Sequence, residues 1–459
     1  MPSRRAVLLT ALASAAAAGL PLKASAAQQK YAAYAMCYFK ESPERSDDSF
    51  ALHLAVSTDG LNWMPLNQND PVATPTAGSE GLRDPFIQRK QDGTFVVLAT
   101  DLNGRPEEFV NRHIHVWDSA DLTSFSGYRR PRLHDMPTHS WAPTSFWDTA
   151  RKQYAVVYSA NNGTRNVFMV NYTTDFTTMS EPEVYFDPGF HVLDGYVLPY
   201  DGAYYLAYKN TDDGNLYVAR SATGAPNSYE TLTGGLKQGD AIEAPILVES
   251  HSGNGFWLWG DSFWPANGVF YAWSSPDIGG DNWSALHLRD FTAPISAKHA
   301  GITPITKAER DNLVDAWGAP RWRRLKSYNY AQRYVRHKGY DARLDPFPME
   351  LPADQQWRMK PGLANPDGMS FESMNFPGHY LRQVDFAVRL EADDGTAAFA
   401  ESATFHAEAG LAESSWTSFR SHSLPDRFIR HADFLLRLDQ IGPGSDQTTR
   451  EDATFRITY

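Results

Sequence analysis

Three acidic residues each open a separate strand-like segment, and they are the strongest candidates for chemistry in this chain. They are Asp84 in Asp-Pro-Phe-Ile, Asp194 in Asp-Gly-Tyr and Glu243 in Glu-Ala-Pro. Two carboxyl groups can act as general acid and general base, which is the chemistry that glycoside hydrolysis requires. A third carboxyl group nearby raises the pKa of the acid through like-charge repulsion. An isolated Asp before Pro is ordinarily a turn residue, so the assignment depends on whether the three side chains meet.

Five copies of a short phrase indicate how they meet. Each copy is an alternating strand followed by Ser or Thr, then a small polar residue, then an aromatic. The copies begin at Leu52, Ile114, Val167, Leu216 and Val269. Their spacing of about fifty residues is that of one four-stranded blade in a radial array. Because only a neighbouring blade can cover the faces of each blade, five copies predict a closed, five-bladed β-propeller.

A second set of segments supplies the hairpins of these blades. Four segments show an inner strand, a Gly, Asp or Asn turn and a return strand, at residues 83–101, 141–161, 193–210 and 243–262. The three acids therefore start the inner strands of three different blades. Residues 297–306 are the candidate fifth inner strand, and a short helix is predicted at 307–317. The N-terminal segments 31–39 and 50–57 are expected to complete that blade and close the ring.

Composition narrows the class of partner. The 459 residues suit two domains, and the 13% aromatic content suits an aromatic-rich β protein that handles sugars. A net charge of −12 argues against a nucleic-acid partner, because phosphate binding needs concentrated Lys and Arg. The single cysteine, Cys37, excludes an intrachain disulfide and a zinc or thiol-redox motif. Its strand-like surroundings predict a small buried hydrophobe.

The first residues have the pattern of an export signal. Arg4 and Arg5 precede an apolar run at 6–20, and small residues at 24–26 offer a cleavage site, so a Tat-type signal peptide is expected at 1–26. The apolar run is too short to span a membrane, and no later segment is long enough. The expectation is a secreted or periplasmic protein with no membrane partner.

The pattern of the sequence changes after a short linker at 318–326. A threefold repeat follows, with copies that begin at Ser327, Ser370 and Ser418. Three strand-rich copies of similar size predict a β-trefoil over 327–459. The whole chain is therefore expected to be all-β, with a five-bladed propeller at 31–317 followed by the trefoil.

The first part of the chain, over about 31–317, resembles glycoside hydrolase family 43. The likeness rests on Asp84-Pro, Asp194 two blades later, Glu243-Ala-Pro, Trp141-Ala-Pro and the Lys-His-Ala-Gly motif at 298–301. The resemblance implies that Asp84 is the general base, that Asp194 orients the acid and raises its pKa, and that Glu243 is the general acid. It also implies inversion of configuration and a substrate-binding role for Trp141.

The same resemblance places His299 near the channel axis, where relatives often hold a calcium ion or water. No cofactor is expected for the chemistry, and a structural calcium ion is the one metal considered, with His299 as its candidate ligand. In the family the base lies very close to the mature N-terminus, whereas Asp84 comes well after the expected cleavage site at Ala26. This departure leaves Asp47 and Asp48 as other candidates for the base. Lys298 replaces the usual Arg.

The C-terminal repeats resemble the arabinofuranose-binding module of carbohydrate-binding family 42, the AbfB domain. The likeness rests on Tyr-Val-Arg-His, Tyr-Leu-Arg-Gln and Phe-Ile-Arg-His, each followed by an Arg-Leu pair and later by an Asp or Ser three residues before an aromatic. By that resemblance, two repeats grip an arabinofuranosyl unit with a His and an Asp, which are His337 with Asp354 and His431 with Asp452. The middle repeat has Gln383 and Ser402 instead, and is expected to have lost its site.

Together these features predict a monomeric, inverting α-L-arabinofuranosidase that acts on the plant cell-wall polysaccharides arabinan or arabinoxylan and is anchored to them by the trefoil. The propeller alone equally suits a β-xylosidase, an endo-arabinanase or a galactan hydrolase. A secreted arabinan-binding protein without activity is a second class, and a phosphorylase on a related scaffold is a third. Linkage preference depends on loops with no readable code.

Overall fold

Strands dominate the part of the chain that the computed structural model describes, which comprises residues 31–41, 48–104, 110–239, 241–253, 255–346 and 351–459. The predicted signal peptide and Asp47 lie outside these residues. Twenty strands make up the N-terminal domain: β1 (Ala33–Lys40), β2 (His53–Ser57), β3 (Met64–Pro65), β4 (Leu82–Arg89), β5 (Phe95–Asp101), β6 (Ile114–Ser119), β7 (Ser126–Arg129), β8 (Trp141–Asp148), β9 (Gln153–Asn161), β10 (Asn166–Thr173), β11 (Glu183–Phe186), β12 (Val192–Tyr200), β13 (Ala203–Asn210), β14 (Asn215–Ser221), β15 (Glu230–Thr231), β16 (Ala241–Glu249), β17 (Phe256–Trp264), β18 (Phe270–Ser275), β19 (Ser284–Ala285) and β20 (Ala297–Ile305). A 3₁₀ turn lies at Asn67–Asn69.

Five four-stranded antiparallel sheets form the blades of a five-bladed propeller. Blades 2 to 5 run in chain order from the inner to the outer strand, as β4–β7, β8–β11, β12–β15 and β16–β19. Blade 1 has the order β20-β1-β2-β3, so both ends of the domain meet in one sheet. The register from Ala33↔Ile305 to Lys40↔Ala297 confirms the predicted closure of the ring. The predicted helix α1 (Lys307–Trp317) follows β20 and is capped by Thr306.

Each inner strand is interrupted at the same place. A residue with positive φ stands there in every blade: Asp84 (52°), Ala142 (50°), Asp194 (59°), Ala244 (56°) and His299 (37°). The strand register shifts at each of these positions. A β-bulge of this kind leaves one N–H outside the ladder and re-aims the neighbouring side chains. The five bulges therefore mark one level of the channel, where the side chains turn toward its axis.

At four of the five bulges, the preceding blade accepts the N–H that the bulge leaves free. Four such bonds join neighbouring blades: Ala142 N to Thr100 Oγ1 (2.8 Å), Asp194 N to Ser159 Oγ (3.1 Å), Ala244 N to Asp194 Oδ2 (3.1 Å) and His299 N to Asp261 Oδ2 (3.1 Å). Buried backbone N–H groups need such partners. Ring closure and the placement of the channel side chains are thus parts of the same hydrogen-bond pattern.

Cys37 lies on β1 beside this channel wall. It is fully buried, as predicted, and its Sγ donates to the carbonyl oxygen of Pro85 at 3.1 Å. Burial raises the pKa of the thiol to about 12, so it stays protonated at neutral pH. Neighbouring strands approach so closely here that a Cβ atom on Gly301 would lie 2.9 Å from the Pro85 oxygen.

The C-terminal domain is one antiparallel barrel. Its strands are β21 (Arg324–Ser327), β22 (Arg333–Lys338), β23 (Asp341–Pro346), β24 (Trp357–Pro361), β25 (Met369–Ser373), β26 (His379–Val384), β27 (Ala387–Ala392), β28 (Phe405–Ala409), β29 (Thr417–Ser421), β30 (Arg427–Ala432), β31 (Leu435–Gln440) and β32 (Phe455–Thr458), with helices α2 (Ala397–Ser402) and α3 (Gln447–Asp452) and a 3₁₀ turn at Pro352–Gln355. Six of these strands form a ring in the spatial order β21-β32-β29-β28-β25-β24, in which each strand pairs with the next. A bridge between Arg323 and Trp357 closes the ring. The hairpins β22–β23, β26–β27 and β30–β31 correspond to the three predicted repeats, and their second strands pair with one another.

The predicted linker is partly built into this barrel. Its last three residues begin β21, where Leu325 is buried in the barrel core. On either side of it, Arg324 Nη2 donates to the Ala293 carbonyl at 2.7 Å and Lys326 Nζ donates to the Phe291 carbonyl at 2.6 Å. These bonds cross to the propeller, so the basic residues of the linker form part of the contact between the domains. No helix among the described residues is long and apolar enough to cross a bilayer.

Candidate active site

The channel brings together acidic side chains from separate blades. A narrow cavity is lined by residues of all five inner strands, among them Asp84, Asp194 and His299. Glu243 joins the group through its neighbour Ala244, whose N–H donates to Asp194 Oδ2 at 3.1 Å. The three predicted acids therefore lie at one end of one channel, although they are far apart in the sequence.

Asp84 is held as a carboxylate. Its Oδ1 lies 2.8 Å from Nδ1 of His299, and its Oδ2 accepts from the Thr100 hydroxyl at 2.7 Å. Burial alone raises the pKa of Asp84, but His299, the Arg83 guanidinium and the Thr100 hydroxyl together hold that pKa well below its ordinary value. A general base must be ionised before it can accept a proton, and Asp84 meets this condition.

Glu243 is also a carboxylate in the free protein, because two lysines face it. Lys298 Nζ donates to its Oε1 at 2.9 Å, and Lys209 Nζ lies 3.6 Å from its Oε2. Burial opposes the charge, but Lys298 and then Lys209 lower the pKa of Glu243 to about 2. In the free protein the lysine contacts therefore outweigh the repulsion between Glu243 and Asp194, and the role of Asp194 in orienting the acid and raising its pKa stays a prediction.

The raised pKa belongs to Asp194 itself. This carboxyl group is half-buried, and desolvation together with the nearby Glu243 and Asp84 charges raises its pKa, while His299 and Lys209 oppose the shift. Opposite Glu243 on β17, Asp261 is fully buried and lies 3.1 Å from Lys298 Nζ. Burial and the Glu243 charge raise the pKa of Asp261 as well.

Opposite charges alternate at this end of the propeller. Four carboxyl groups, Asp84, Asp194, Glu243 and Asp261, lie among four cationic side chains, Arg83, Lys209, Lys298 and His299, and Arg83 also pairs with Glu41 at 3.4 Å. Buried charges persist only when they are paired and hydrogen-bonded. The network therefore fixes the acids in place and makes each of them sensitive to the loss of a partner.

The remaining predicted residues of the propeller are distributed as follows. Trp141 precedes the bulge residue of its own inner strand, as Glu243 does, and stacks on His139 with ring centroids 4.1 Å apart. Asp48, a possible substitute for the base, instead forms an ion pair with Lys40 at the end of β1. The structure thus favours Asp84 over Asp48 in the channel.

The first repeat of the C-terminal domain holds a compact polar cluster. His337 Nε2 lies 3.4 Å from Asp354 Oδ1 and 3.0 Å from Asn375 Oδ1. Asn375 Nδ2 donates to the same Asp354 oxygen at 2.7 Å, and Arg336 pairs with the other oxygen. The predicted His and Asp are together, and an Asn from the next repeat completes the cluster.

The third repeat has the same arrangement. His431 Nε2 lies 3.1 Å from Asp452 Oδ1 and 3.1 Å from Asn329 Oδ1, and Asn329 Nδ2 donates to Asp452 at 2.7 Å. Arg430 Nη2 lies 3.7 Å from the second Asp452 oxygen. Since Asn329 belongs to the first repeat, each cluster forms where two repeats meet.

The middle repeat lacks the His, the Asp and the Asn of this cluster. Gln383 and Ser402 replace the His and Asp, and Ser423 replaces the Asn. The Ser402 hydroxyl donates to the Phe399 carbonyl at 2.9 Å, so it is engaged within its own helix. Arg382, with no Asp to pair with, lies 3.2 Å from Glu391 instead.

Two family models match this chain, one for each domain. A model for a family related to glycoside hydrolase family 43, described as "Probable glycosyl hydrolase domain", matches residues 29–311, which is more than half of the chain. The chain belongs to this family. A second model, the alpha-L-arabinofuranosidase B domain or AbfB domain, matches residues 323–457. The two matches coincide with the propeller and the barrel.

Individual relatives cover smaller parts of the chain. An alpha-L-arabinofuranosidase of Bifidobacterium longum subsp. longum is 27% identical over 186 residues, or 34% of this chain and 18% of that protein. Alpha-L-arabinofuranosidase B of Emericella nidulans is 28% identical over 200 residues, or 42% of this chain and 38% of that protein. A solved thermostable family-43 glycoside hydrolase aligns with 70% of this chain and 96% of its own at 14% identity and a TM-score of 0.38. This chain thus spans well under half the length of either curated relative.

The donor set in the channel of this family 43-related domain does not suit calcium. Calcium takes six to eight oxygen ligands, whereas His299 uses Nδ1 to pair with Asp84. Within the described ranges, no three His, Cys, Asp or Glu side chains are grouped to hold a metal ion. The expectation that His299 is a calcium ligand therefore finds no matching set of oxygen donors around that residue.

The pKa of His299 gives a test of the Asp84 pair. Burial alone lowers this pKa, but Asp84 and then Asp194 raise it to about 9, above the ordinary value of 6.5. The contribution of protonated His299 to the stability of the fold is therefore fully present below pH 6.5 and is lost as the pH rises through about 9. We expect the difference in free energy of unfolding between the wild type and His299→Gln to shrink by up to about 3 kcal/mol between pH 6 and pH 10. Urea unfolding at several pH values measures it, and a constant difference would contradict the pairing.

Proposed function

We propose that this protein is an inverting α-L-arabinofuranosidase that releases arabinofuranosyl units from arabinan or arabinoxylan. We also propose that its AbfB domain is a β-trefoil that holds the enzyme on the polymer. The observation that carries the proposal is the pair of His-Asp-Asn clusters in an AbfB domain, because the acids of the propeller alone suit several glycosidases. The twin arginines before an apolar run favour export by the Tat pathway, which would bring the enzyme to a polymer outside the cell.

Asp84 is assigned as the base. Its low pKa keeps it ionised, and its two fixed oxygens can orient a water molecule and remove a proton from it. In an inverting enzyme this water attacks the anomeric carbon from the face opposite the leaving group, and the two carboxyl groups stand about 6.5–9.5 Å apart. His299 and Thr100 hold the carboxylate in position throughout.

Glu243 is assigned as the acid, and it must gain a proton before it acts. The Lys209 contact of 3.6 Å is longer than a hydrogen bond, so it is the weaker of the two lysine contacts. A bound sugar that excludes water and separates Lys209 from Glu243 would raise the Glu243 pKa, and Asp194 would then add its repulsion. Glu243 would next donate its proton to the glycosidic oxygen as the bond to the anomeric carbon breaks.

The proposal is tested by incubating the purified protein with the 4-nitrophenyl α-L-arabinofuranoside, linear arabinan and arabinoxylan, with the matching β-xyloside and β-galactoside as controls. We expect arabinose as the product, and proton NMR of the first turnover should show the β-anomer. If the protein hydrolyses the xyloside or galactoside but not the arabinofuranoside, the proposed specificity is wrong. If the first product is the α-anomer, configuration is retained and the inverting mechanism is wrong. Binding to polymer without any turnover would indicate the inactive binding protein, and dependence on phosphate would indicate a phosphorylase.

The two polar clusters predict how the protein holds polymer. Asp354→Ala and Asp452→Ala should each weaken retention on insoluble arabinoxylan, and the double variant should nearly abolish it. Two weak sites on one module act together because the second contact forms at high effective concentration. Ser402→Ala is the matched control from the middle repeat and should bind polymer as the wild type does. Pull-down isotherms measure the effect, and polymer binding by the double variant would contradict the assignment.

A further inference from the structure

Two neighbouring aromatic rings are exposed at the end of β17. Trp264 is 69% exposed and Phe263 is 40% exposed. Of the large apolar side chains in the described part of the propeller, Val110 is the other one with comparable exposure, at 52%. Exposed rings of this size differ from large aromatics elsewhere in the propeller, such as Trp63 and Trp259, which are buried.

The strand register places these rings beside the acid. On β16 and β17, Glu243 pairs with Asp261 and Ala241 pairs with Trp264, so Trp264 lies just beyond Glu243 toward the start of the inner strand. The inner strands begin at the end of the channel that carries the acids, since the bulges lie near their first residues. Trp264 therefore stands at the rim of the channel on the Glu243 side.

Lys209 connects the second ring to the acid. Its Nζ lies 3.9 Å from the centroid of the Phe263 ring and 3.6 Å from Glu243 Oε2. A cation over an aromatic face is stabilised by the ring quadrupole. Phe263 thus covers Lys209, the weaker of the two lysine partners of Glu243. A shift of this ring would therefore change the position of Lys209 relative to Glu243.

The C-terminal domain offers an internal comparison. Its exposed aromatics include Tyr340 and Phe376, whose rings are 6.2 Å apart beside His337, and Tyr330, which lies 5.4 Å from the ring of His431. Both polar clusters therefore carry exposed rings. An aromatic face next to a few polar groups suits the C–H face of a sugar ring.

We propose that Trp264, with Phe263 beside it, forms the platform for the aglycone sugar, which is the ring of the polymer that carries the departing arabinofuranosyl unit. This inference rests on the proposed function, because it places the leaving group on the side of the proton donor. The glycosidic oxygen must lie within reach of Glu243 to receive its proton, so the sugar bonded to that oxygen extends over the rim where Trp264 stands. Trp264 is a specificity-determining residue in this arrangement.

The test compares two substrates that differ only in the leaving group. One is an arabinofuranosyl-substituted xylotriose or an arabinotriose, whose aglycone has sugar rings, and the other is methyl α-L-arabinofuranoside, whose aglycone has none. For Trp264→Ala we expect kcat/KM on the oligosaccharide to fall about tenfold more than kcat/KM on the methyl glycoside, as the loss of one aromatic contact implies. Phe386→Ala, which removes an exposed ring from the middle repeat, should leave this ratio unchanged.

Two further results bear on the platform. Xylotriose, which carries no arabinofuranosyl unit, should inhibit methyl glycoside hydrolysis by the wild type, and its inhibition constant should be larger for Trp264→Ala. Equal kinetics of the wild type and Trp264→Ala on both substrates, or an equal loss on both, would overturn the platform. If the wild-type protein hydrolyses a xyloside or galactoside instead of an arabinofuranoside, the proposed function fails, and the same ratio measured with that sugar still supports or overturns the platform.

Discussion

Asp84→Asn is expected to reduce hydrolysis of arabinofuranosides by about four orders of magnitude, whatever the leaving group. An amide at this position can accept from one of the partners Thr100 and His299 through its oxygen and donate to the other through its nitrogen, but it cannot take a proton from water. A better leaving group does not compensate, because attack by water is needed on every substrate. Steady-state rates on the 4-nitrophenyl and methyl arabinofuranosides measure this loss.

The control is Asp48→Asn, which removes the carboxylate that pairs with Lys40 and should retain activity. Thermal unfolding of both variants is needed as well, because Asp84 belongs to the network of carboxyl groups and cations around the channel. Near-normal turnover by Asp84→Asn would refute its role as the base and return the assignment to Asp47 or Asp48.

The propeller could be predicted from its repeat because local physics determines that repeat. Each of the five phrases forms the third strand of its blade, and the Ser or Thr at its end accepts a backbone N–H from the turn that follows. Examples are Ser119 with Leu122 N at 2.7 Å and Thr173 with Phe176 N at 2.9 Å. A contact over three residues leaves a readable pattern in the sequence.

The electrostatics of the acids could not be predicted in the same way. Lys209 comes from β13 in blade 4 and Lys298 from β20 in blade 1, yet both face Glu243 in blade 5. Nothing in the spacing of these residues indicates that they meet, since the ring alone brings them together. The sequence therefore located Glu243 correctly in the channel, while the direction of its pKa needed the three-dimensional contacts.

The third member of each C-terminal cluster, the Asn, could have been found by aligning the three repeats over their whole length. Asn329 and Asn375 each stand two residues after an equivalent Ser in the first two copies, and Ser423 stands there in the third. Each position serves the cluster of the preceding repeat, so the changes at Gln383, Ser402 and Ser423 fall on one cluster. Pairing His with Asp inside a single repeat finds two residues of each cluster and misses the Asn, which comes from another repeat.

Glu243→Gln is expected to lower hydrolysis of natural arabinosides by about three to four orders of magnitude and to affect the 4-nitrophenyl arabinoside much less. Natural sugars leave as poor alkoxides and need the proton that Glu243 supplies, whereas nitrophenolate leaves with little protonation. The change also removes the negative charge between Lys209 and Lys298, and Lys298 keeps its contact of 3.1 Å with Asp261. The fold should therefore survive, and thermal unfolding checks this.

Glu249→Gln is the matched control, since Glu249 is at the opposite end of the same strand, β16, and should retain activity on every substrate. The decisive measurement is kcat/KM against the pKa of the leaving group for a series of aryl and alkyl arabinofuranosides. The slope should be shallow for the wild type and steep for Glu243→Gln, because an unassisted leaving group must carry the whole developing charge. Equal slopes would mean that another group donates the proton. Asp194, whose pKa burial and the Glu243 charge raise, would then be the residue to test next.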